Sequence, residues 1–174
     1  PDWIKVPPAK RGVVTDGIWD LRLDDGDAIV AGSRGTICRI NPSTGSEKWC
    51  AEVGDGARLS LTDDKIVAAN FAGDIHFLDR RSGARLGAAR GLEGPLTAPA
   101  WGKDFVAVGS PKAGLLLVNP ESGALGFRRA CKGGISAGPA AQGDRVYVVT
   151  GMGRVTALQV TRRLPPDWKH YRKD

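Results

Sequence analysis

The stretch that decides the fold is "DAIVAGSRGTICRINPSTGSEKW", residues 27–49. It contains two short apolar runs separated by a turn rich in Ser and Gly, then the turn "NPSTG", and then a run that ends in Trp49. Short apolar runs with such turns between them are typical of β-strands joined by hairpins. The parts of this stretch recur along the chain, and their recurrence indicates the architecture.

The turn "INPSTG" at residues 40–45 has two further copies, "LDRRSG" at 78–83 and "VNPESG" at 118–123. The Asn or Asp near its start can hydrogen-bond to the turn backbone, and the Gly at its end supplies the positive φ that closes a hairpin. A fourth position carries "LQVTRR" instead. The aligned turn residues lie at intervals of 38, 40 and 40 residues: Asn41, Asp79, Asn119 and Gln159.

A second run has nearly the same period. Four segments align position by position: "DAIVAGS" (27–33), "DKIVAAN" (64–70), "DFVAVGS" (104–110) and "DRVYVVT" (144–150). Their opening acids lie 37, 40 and 40 residues apart: Asp27, Asp64, Asp104 and Asp144. Two features with one period indicate an internal repeat. We expect each Asp to cap a tight turn through its side chain rather than to bind calcium.

Each repeat contains a weak strand, a strongly apolar strand, a third strand and, after the turn, a fourth. No segment inside the repeats shows a helical period of apolar residues. The sequence therefore predicts an all-β protein, a β-propeller with four antiparallel four-stranded blades of ~40 residues each. We expect residues 1–161 to form the propeller and residues 162–174 a separate tail. The predicted repeats span about 18–53, 57–92, 95–132 and 135–161.

Residues 27–49 resemble the β-propeller repeat of the pyrroloquinoline-quinone (PQQ) type, whose consensus is roughly "D-x-V-y-V-g-s … G-x-l-y-A-l-d-p-x-t-G-x-x-x-W". The resemblance covers about residues 18–160, although Gly87 and Phe127 replace the Trp in repeats two and three. Propellers of this family usually have roughly seven or eight blades. Three arrangements stay open: a four-bladed ring, two copies joined into one larger ring, and the C-terminal part of a longer propeller. The outer strand of blade four is expected from the tail after Thr161 or from "DWIKV" at 2–6.

The resemblance implies a function as well as a fold. PQQ-dependent dehydrogenases use a vicinal Cys-Cys disulfide and a calcium site with a catalytic Asp, and this sequence contains no "CC" pair. We therefore predict a non-enzymatic module for protein-protein interaction or scaffolding, without catalytic, cofactor-binding or metal-binding residues. Roles in the family include the propeller lipoprotein of outer-membrane protein assembly and sensor domains on bacterial kinases. This favours a periplasmic or cell-envelope location, with the cytoplasm as the alternative. The competing hypothesis is a fragment of a quinoprotein-like oxidoreductase.

The net charge of +6 is concentrated at one end, because the last thirteen residues, "RRLPPDWKHYRKD", combine five cations with two acids. A basic segment with aromatic side chains predicts contact with nucleic acid, an anionic surface or an acidic protein. The alternative is a terminal strand with Trp168 folded back onto the last blade. The candidate partner-binding residues are Arg162, Arg163, Trp168, Lys169, Tyr171 and Arg172.

The remaining reactive side chains give weaker signals. Cys38 and Cys50 flank the first turn, so a cross-strand disulfide and two separate thiols are both compatible with the sequence. His76 is expected to be an ordinary sheet residue, since no Cys or acid stands at zinc-ligand spacing from it.

No run approaches the ~20 apolar residues of a membrane span. The chain starts with Pro1 and has no apolar leader region, so we expect a mature form or a piece of a longer polypeptide.

Overall fold

The computed structural model describes residues 17–161. Fifteen strands in this range form four separate antiparallel sheets, and the prediction of an all-β fold built from four blades is confirmed. Within the same range there is no helix that is long and apolar enough to cross a membrane.

The first two blades each contain four strands in sequential order. Blade 1 consists of β1 (Ile18–Asp24), β2 (Asp27–Gly32), β3 (Thr36–Ile40) and β4 (Glu47–Glu52). Blade 2 consists of β5 (Arg58–Leu61), β6 (Lys65–Ala69), β7 (Ile75–Asp79) and β8 (Arg85–Ala89). This order, with each strand paired to the next, is the meander that the repeat predicts.

The last two blades continue the pattern. Blade 3 consists of β9 (Ala100–Trp101), β10 (Val106–Ser110), β11 (Gly114–Val118) and β12 (Leu125–Arg129). Blade 4 shows three strands, β13 (Ala140–Gln142), β14 (Arg145–Val149) and β15 (Val155–Gln159). Both segments expected to supply its outer strand, residues 2–6 and the tail after Thr161, lie outside the described residues.

The blades stack face to face around the inner strands. β1 contacts β5, and β9 contacts β13, so the first strand of each blade lies innermost. Three hydrophobic clusters fill the gaps between successive blades. The middle strands of blade 3, β10 and β11, are buried along their whole length because they have a blade on each side. This explains the nearly continuous apolar runs of the sequence.

The repeated turn has the geometry that its residues predict. The side-chain Oδ1 of Asn41 accepts hydrogen bonds from the backbone N–H groups of Ser43 and Thr44, and the Asn41 carbonyl accepts one from Gly45. The turns that begin at Asp79 and Asn119 repeat these contacts. The glycines that end the three turns have φ of 71°, 71° and 70°: Gly45, Gly83 and Gly123.

Two of these glycines also permit close packing between blades. A Cβ added to Gly83 would lie 2.4 Å from the Trp49 ring on the outer strand of blade 1. A Cβ added to Gly123 would lie 2.5 Å from the carbonyl oxygen of Ala88 in blade 2. The turn of one blade therefore presses on the outer strand of the preceding blade, a role that its sequence did not indicate.

The predicted role of Asp27 as a turn cap is wrong. Asp27 pairs with Asp24, and the two central residues of their turn are Asp25 and Gly26, with φ of 48° and 81°. This pair of positive φ values closes a two-residue hairpin. In blade 2 the corresponding turn has Asp64 as its second central residue, before the strand starts. Asp27 therefore lies one position later in its turn than Asp64 does in the turn of blade 2. The 38-residue interval between the hairpin turns aligns the two blades correctly.

Directly paired residues of an antiparallel sheet point to the same face. We call the face of a blade that packs on the following blade its forward face, and the opposite face its backward face. Equivalent forward-face residues of blades 1 to 3 include Ile29, Val67 and Ala107 on the second strands, and Ile37, Ile75 and Leu115 on the third. Equivalent backward-face residues of blades 2 to 4 include Ile66, Val106 and Val146, and Leu78, Val118 and Leu158.

Candidate functional site

A cavity of about 420 Å³ lies where the inner segments of the four blades converge. Its lining combines charged, aromatic and small side chains. Residues that line it come from every blade: Asp20, Arg22, Arg58, Phe71, Thr97 and Ser136. Because each blade contributes to one concave surface, a molecule bound there would contact the whole set of blades at once.

Phe71 and Arg58 line this cavity, and Trp19 contacts both of them. The rings of Trp19 and Phe71 meet edge to face with their centroids 5.0 Å apart. The guanidinium of Arg58 lies 5.3 Å from the centroid of the Trp19 ring and donates a hydrogen bond to the Trp19 carbonyl oxygen. Both rings remain partly exposed. We call these three residues the axial cluster; exposed aromatic and Arg side chains on a rigid frame are typical of protein-binding hot spots.

The inner strand of blade 1 holds this cluster in place. The pairing of β1 with β2 shifts register between Ile18 and Asp20, a local irregularity of the kind that redirects side chains. Asp20 accepts a 2.8 Å hydrogen bond from the backbone N–H of Leu59 in blade 2. Arg22 lies 2.9 Å from the Asp20 carboxylate and donates to the Leu59 carbonyl. These contacts fix β1 against β5, beside Arg58.

A second polar feature, the ionic clamp, joins blades 1 and 2 at the far end of β1. Its residues are Asp24, Asp27, Arg39, Lys48 and Arg80. Arg80, from blade 2, donates through Nε to the Asp24 carboxylate over 2.8 Å, and Arg39 NH1 lies 3.0 Å from the other oxygen of Asp24. Arg39 and Lys48 each lie 2.7 Å from Asp27. The Asp24 side chain has no solvent exposure, so these cations replace its hydration.

The clamp keeps both carboxyl groups ionised. The Arg80 guanidinium holds the pKa of Asp24 below its usual value, with Arg39 adding to the effect against the opposing influence of burial. Lys48 and Arg39 hold the pKa of Asp27 below its usual value in the same way. Carboxylates saturated by cations are poor general bases, so we assign the clamp to blade packing.

The other singled-out side chains are placed inside or at the edge of the fold. His76 is buried between blades 1 and 2, and burial lowers its pKa, so its ring is neutral at pH 7. Cys38 and Cys50 pair directly across β3 and β4 and form a disulfide, which decides between the two open alternatives. Glu47 lies near both sulfur atoms, but the disulfide removes the thiolates that a metal ion would need.

The axial cluster was not predicted from the sequence. The partner-binding residues that were predicted are different ones, and the structure does not describe them. Arg162, Arg163, Trp168, Lys169, Tyr171 and Arg172 all lie outside the described residues, so their partner-binding role stays a prediction. A usable signal was nonetheless present. At the spacing of the repeats, Trp19 corresponds to Ala57 and Phe71 to Ser33. Large aromatic side chains therefore stand where the neighbouring repeats have small residues.

Four antiparallel blades, three of which carry the repeated turn, are arranged around a shared cavity and define a β-propeller of PQQ-type repeats. The chain belongs to the family of the outer membrane protein assembly factor BamB, because the sequence model of that family matches residues 71–173, more than half of the chain. A comparison with curated protein sequences finds no match.

Solved structures support the fold. BamB from Moraxella catarrhalis superposes with a TM-score of 0.68 at 22% identity, over 80% of this chain and 42% of that one. The computationally designed Ika4 protein gives 0.72 at 18% identity, over 86% and 94%, and the designed Ika8 protein gives 0.71 at 17%, over 80% and 45%. This chain thus spans less than half the length of the Moraxella protein.

Proposed function

We propose that this chain is a non-catalytic propeller module that binds protein partners, with the axial cluster as the centre of the contact. The observation that carries the proposal is the edge-to-face pair of Trp19 and Phe71 with Arg58 over the indole ring. Aromatic and Arg side chains dominate binding energy at protein interfaces when a rigid frame holds them and neighbouring groups exclude water. The surrounding blades provide the rigid frame, and a bound partner would exclude water from the two exposed rings.

The match to this family supports a protein as the binding partner. Its model is described as that of an outer membrane protein assembly factor, and an assembly factor acts on polypeptides. We extend this to the present chain as a scaffold that holds a polypeptide segment over the axial cavity. Asp20 and Arg22 beside the cluster would then add polar contacts at the edge of an apolar centre, as in other protein interfaces.

Site-specific photo-cross-linking in cells of the native host tests the proposal. A photoreactive phenylalanine analogue at Phe71 is expected to give a covalent adduct with a protein, identified by mass spectrometry. The additional change Trp19→Ala removes the neighbouring ring and should lower the adduct yield about tenfold, the loss typical of a hot-spot residue. Circular dichroism of each variant establishes that the blades remain folded.

The matched control carries the same analogue at Leu86, which is 53% exposed on the outer strand of blade 2. The axial proposal predicts no adduct there, because Leu86 is remote from the cavity lining. Equal adducts at both positions, or a yield at Phe71 that does not change with Trp19→Ala, would show that the axial cluster is not the contact. An adduct with nucleic acid instead of protein would also contradict it.

A further inference from the structure

Within residues 17–161, no blade covers the forward face of blade 4. Val155 on β15 is 70% exposed, whereas its equivalents in the first three blades are fully buried under the following blade: Ile37, Ile75 and Leu115. Tyr147 and Val149 on β14 point to the same face and are also exposed, while Val146 and Val148 of that strand are buried against blade 3. Blade 4 thus presents an apolar sheet face with the side chains of an inter-blade contact, and none of the described blades lies over it.

The backward face of blade 1 is likewise left exposed by the part of the chain that the structure describes. Leu21, paired with Val30, is 46% exposed, while Leu59, its equivalent in blade 2, is 1% exposed against blade 1. Leu23 on this face is 76% exposed. The pairing continues from Val30 to Cys38 and Cys50, so the disulfide lies on the same face. Exposed apolar residues form a continuous patch here, and such patches mark interaction sites.

These two faces are the unused halves of one repeated interface. Each of the three internal interfaces joins the forward face of one blade to the backward face of the next, and the repeat carries the same positions through all four blades. The forward face of blade 4 is therefore shaped like the faces that cover blades 2, 3 and 4. Its natural partner is a backward face of the type that blade 1 exposes.

A second copy of the chain satisfies both faces at once. With a two-fold axis, blade 4 of each copy covers blade 1 of the other, and the head-to-tail contact closes after two copies. The designed proteins offer a parallel in size, since this fold matches 94% of Ika4 but only 45% of Ika8. The fold of this chain therefore corresponds to nearly the whole Ika4 chain and to about half of the longer Ika8 chain.

We propose that two copies of this chain join through these faces into one closed ring, so that the four blades of each copy become half of an eight-bladed propeller. The ring interface is distinct from the axial cluster, and the inference does not depend on the proposed function. The ring interface also covers the disulfide between Cys38 and Cys50, because that bond lies on the backward face of blade 1.

Sedimentation velocity and light scattering of the 174-residue chain test the proposal. We expect a single species of about 37 kDa, twice the chain mass of 18.4 kDa. Val155→Glu and Leu23→Lys each place a charge in the interface and should give monomers. Both side chains are exposed within one copy, so neither change disturbs the fold of the blades. Leu86→Glu, at a position that is 53% exposed and lies on neither face, should leave the dimer intact.

A mixture of Val155→Glu and Leu23→Lys provides an internal rescue. In the mixed ring, one contact is wild-type on both sides, and the other places Glu near Lys, so we expect a dimer containing one copy of each variant. A monomeric wild-type chain at about 100 μM, well above the Kd of ordinary stable interfaces, would overturn the proposal and assign the faces to other blades. A dimer that survives both substitutions would overturn it too, as would a series of larger open-ended assemblies.

Discussion

Asp24→Asn is expected to lower the free energy of unfolding by about 3 kcal/mol. The substitution keeps the shape of the side chain but removes the carboxylate charge that lies between Arg39 and Arg80. Removing one partner of a buried ionic group leaves the other charges uncompensated, which typically costs about 3–5 kcal/mol. The lower end applies because the side chains of Arg39 and Arg80 are 12% and 20% exposed. Urea titration at one protein concentration measures the change.

Asp25→Asn is the matched control, in the same turn and with the same chemical change. The Asp25 side chain is 89% exposed, and its φ of 48° is one that Asn adopts readily. We expect a change of less than about 0.5 kcal/mol, as for other exposed charges. Equal effects of the two substitutions would contradict the assignment of the ionic clamp to blade packing.

The clamp also predicts how stability depends on pH. The pKa values of Asp24 and Asp27 are lower in the folded protein than in the unfolded chain. Their stabilisation is therefore complete above about pH 4, the ordinary range for Asp, and is lost as pH falls further through the folded pKa values. Acid titration of Asp24→Asn should show a smaller loss of stability below pH 4 than the wild-type protein, because one of the two groups no longer titrates.

Gly73→Ala is expected to be similarly damaging, with a loss of about 2–5 kcal/mol. Gly73 has φ of 97°, a conformation that costs other residues about 1–2 kcal/mol. In addition, the new Cβ would lie 1.6 Å from the carbonyl oxygen of Leu92, so the backbone of one segment must move. Displacing packed structure in this way costs typically about 1–3 kcal/mol. Thermal and urea unfolding both measure the combined effect.

Gly91→Ala isolates the conformational part of this cost. Gly91 has φ of 71°, also positive, but no atom lies within 4 Å of its added Cβ. The expected loss is about 1 kcal/mol. If Gly73→Ala and Gly91→Ala were equally mild, the close approach of Gly73 to Leu92 in the structure would be contradicted.

The sequence was sufficient for the blades because the relevant signals are local. Asn41 and Gly45 define their hairpin within five residues, and the recurrence of that hairpin sets the period. The alignment of Asp27 with Asp64 was wrong by one position because it relied on residue identity in a turn. The spacing of the hairpin turns was the better guide to the alignment of the repeats, and the observed pairing of β3 with its neighbours agrees with it.

The contacts within the axial cluster and the ionic clamp were not predictable because they join distant parts of the chain. Arg80 reaches Asp24 across 56 residues, and Arg58 reaches Trp19 across 39. An isolated Arg or Trp in a repeat carries no information about which blade it will meet. The end faces differ again, because only the exposure of Val155 in the folded chain reveals that none of the described blades covers it.

Intermolecular photo-cross-linking from blade 4 tests the ring most directly. A photoreactive analogue replaces Tyr147 on the forward face, and equal amounts of isotopically light and heavy chains are mixed, unfolded and refolded before irradiation. The account predicts cross-linked peptides that join Tyr147 to the backward face of blade 1, near Leu21 or Val30, with light-heavy pairs that prove two chains are joined. Adducts confined to single chains, or adducts to other surfaces, would contradict it.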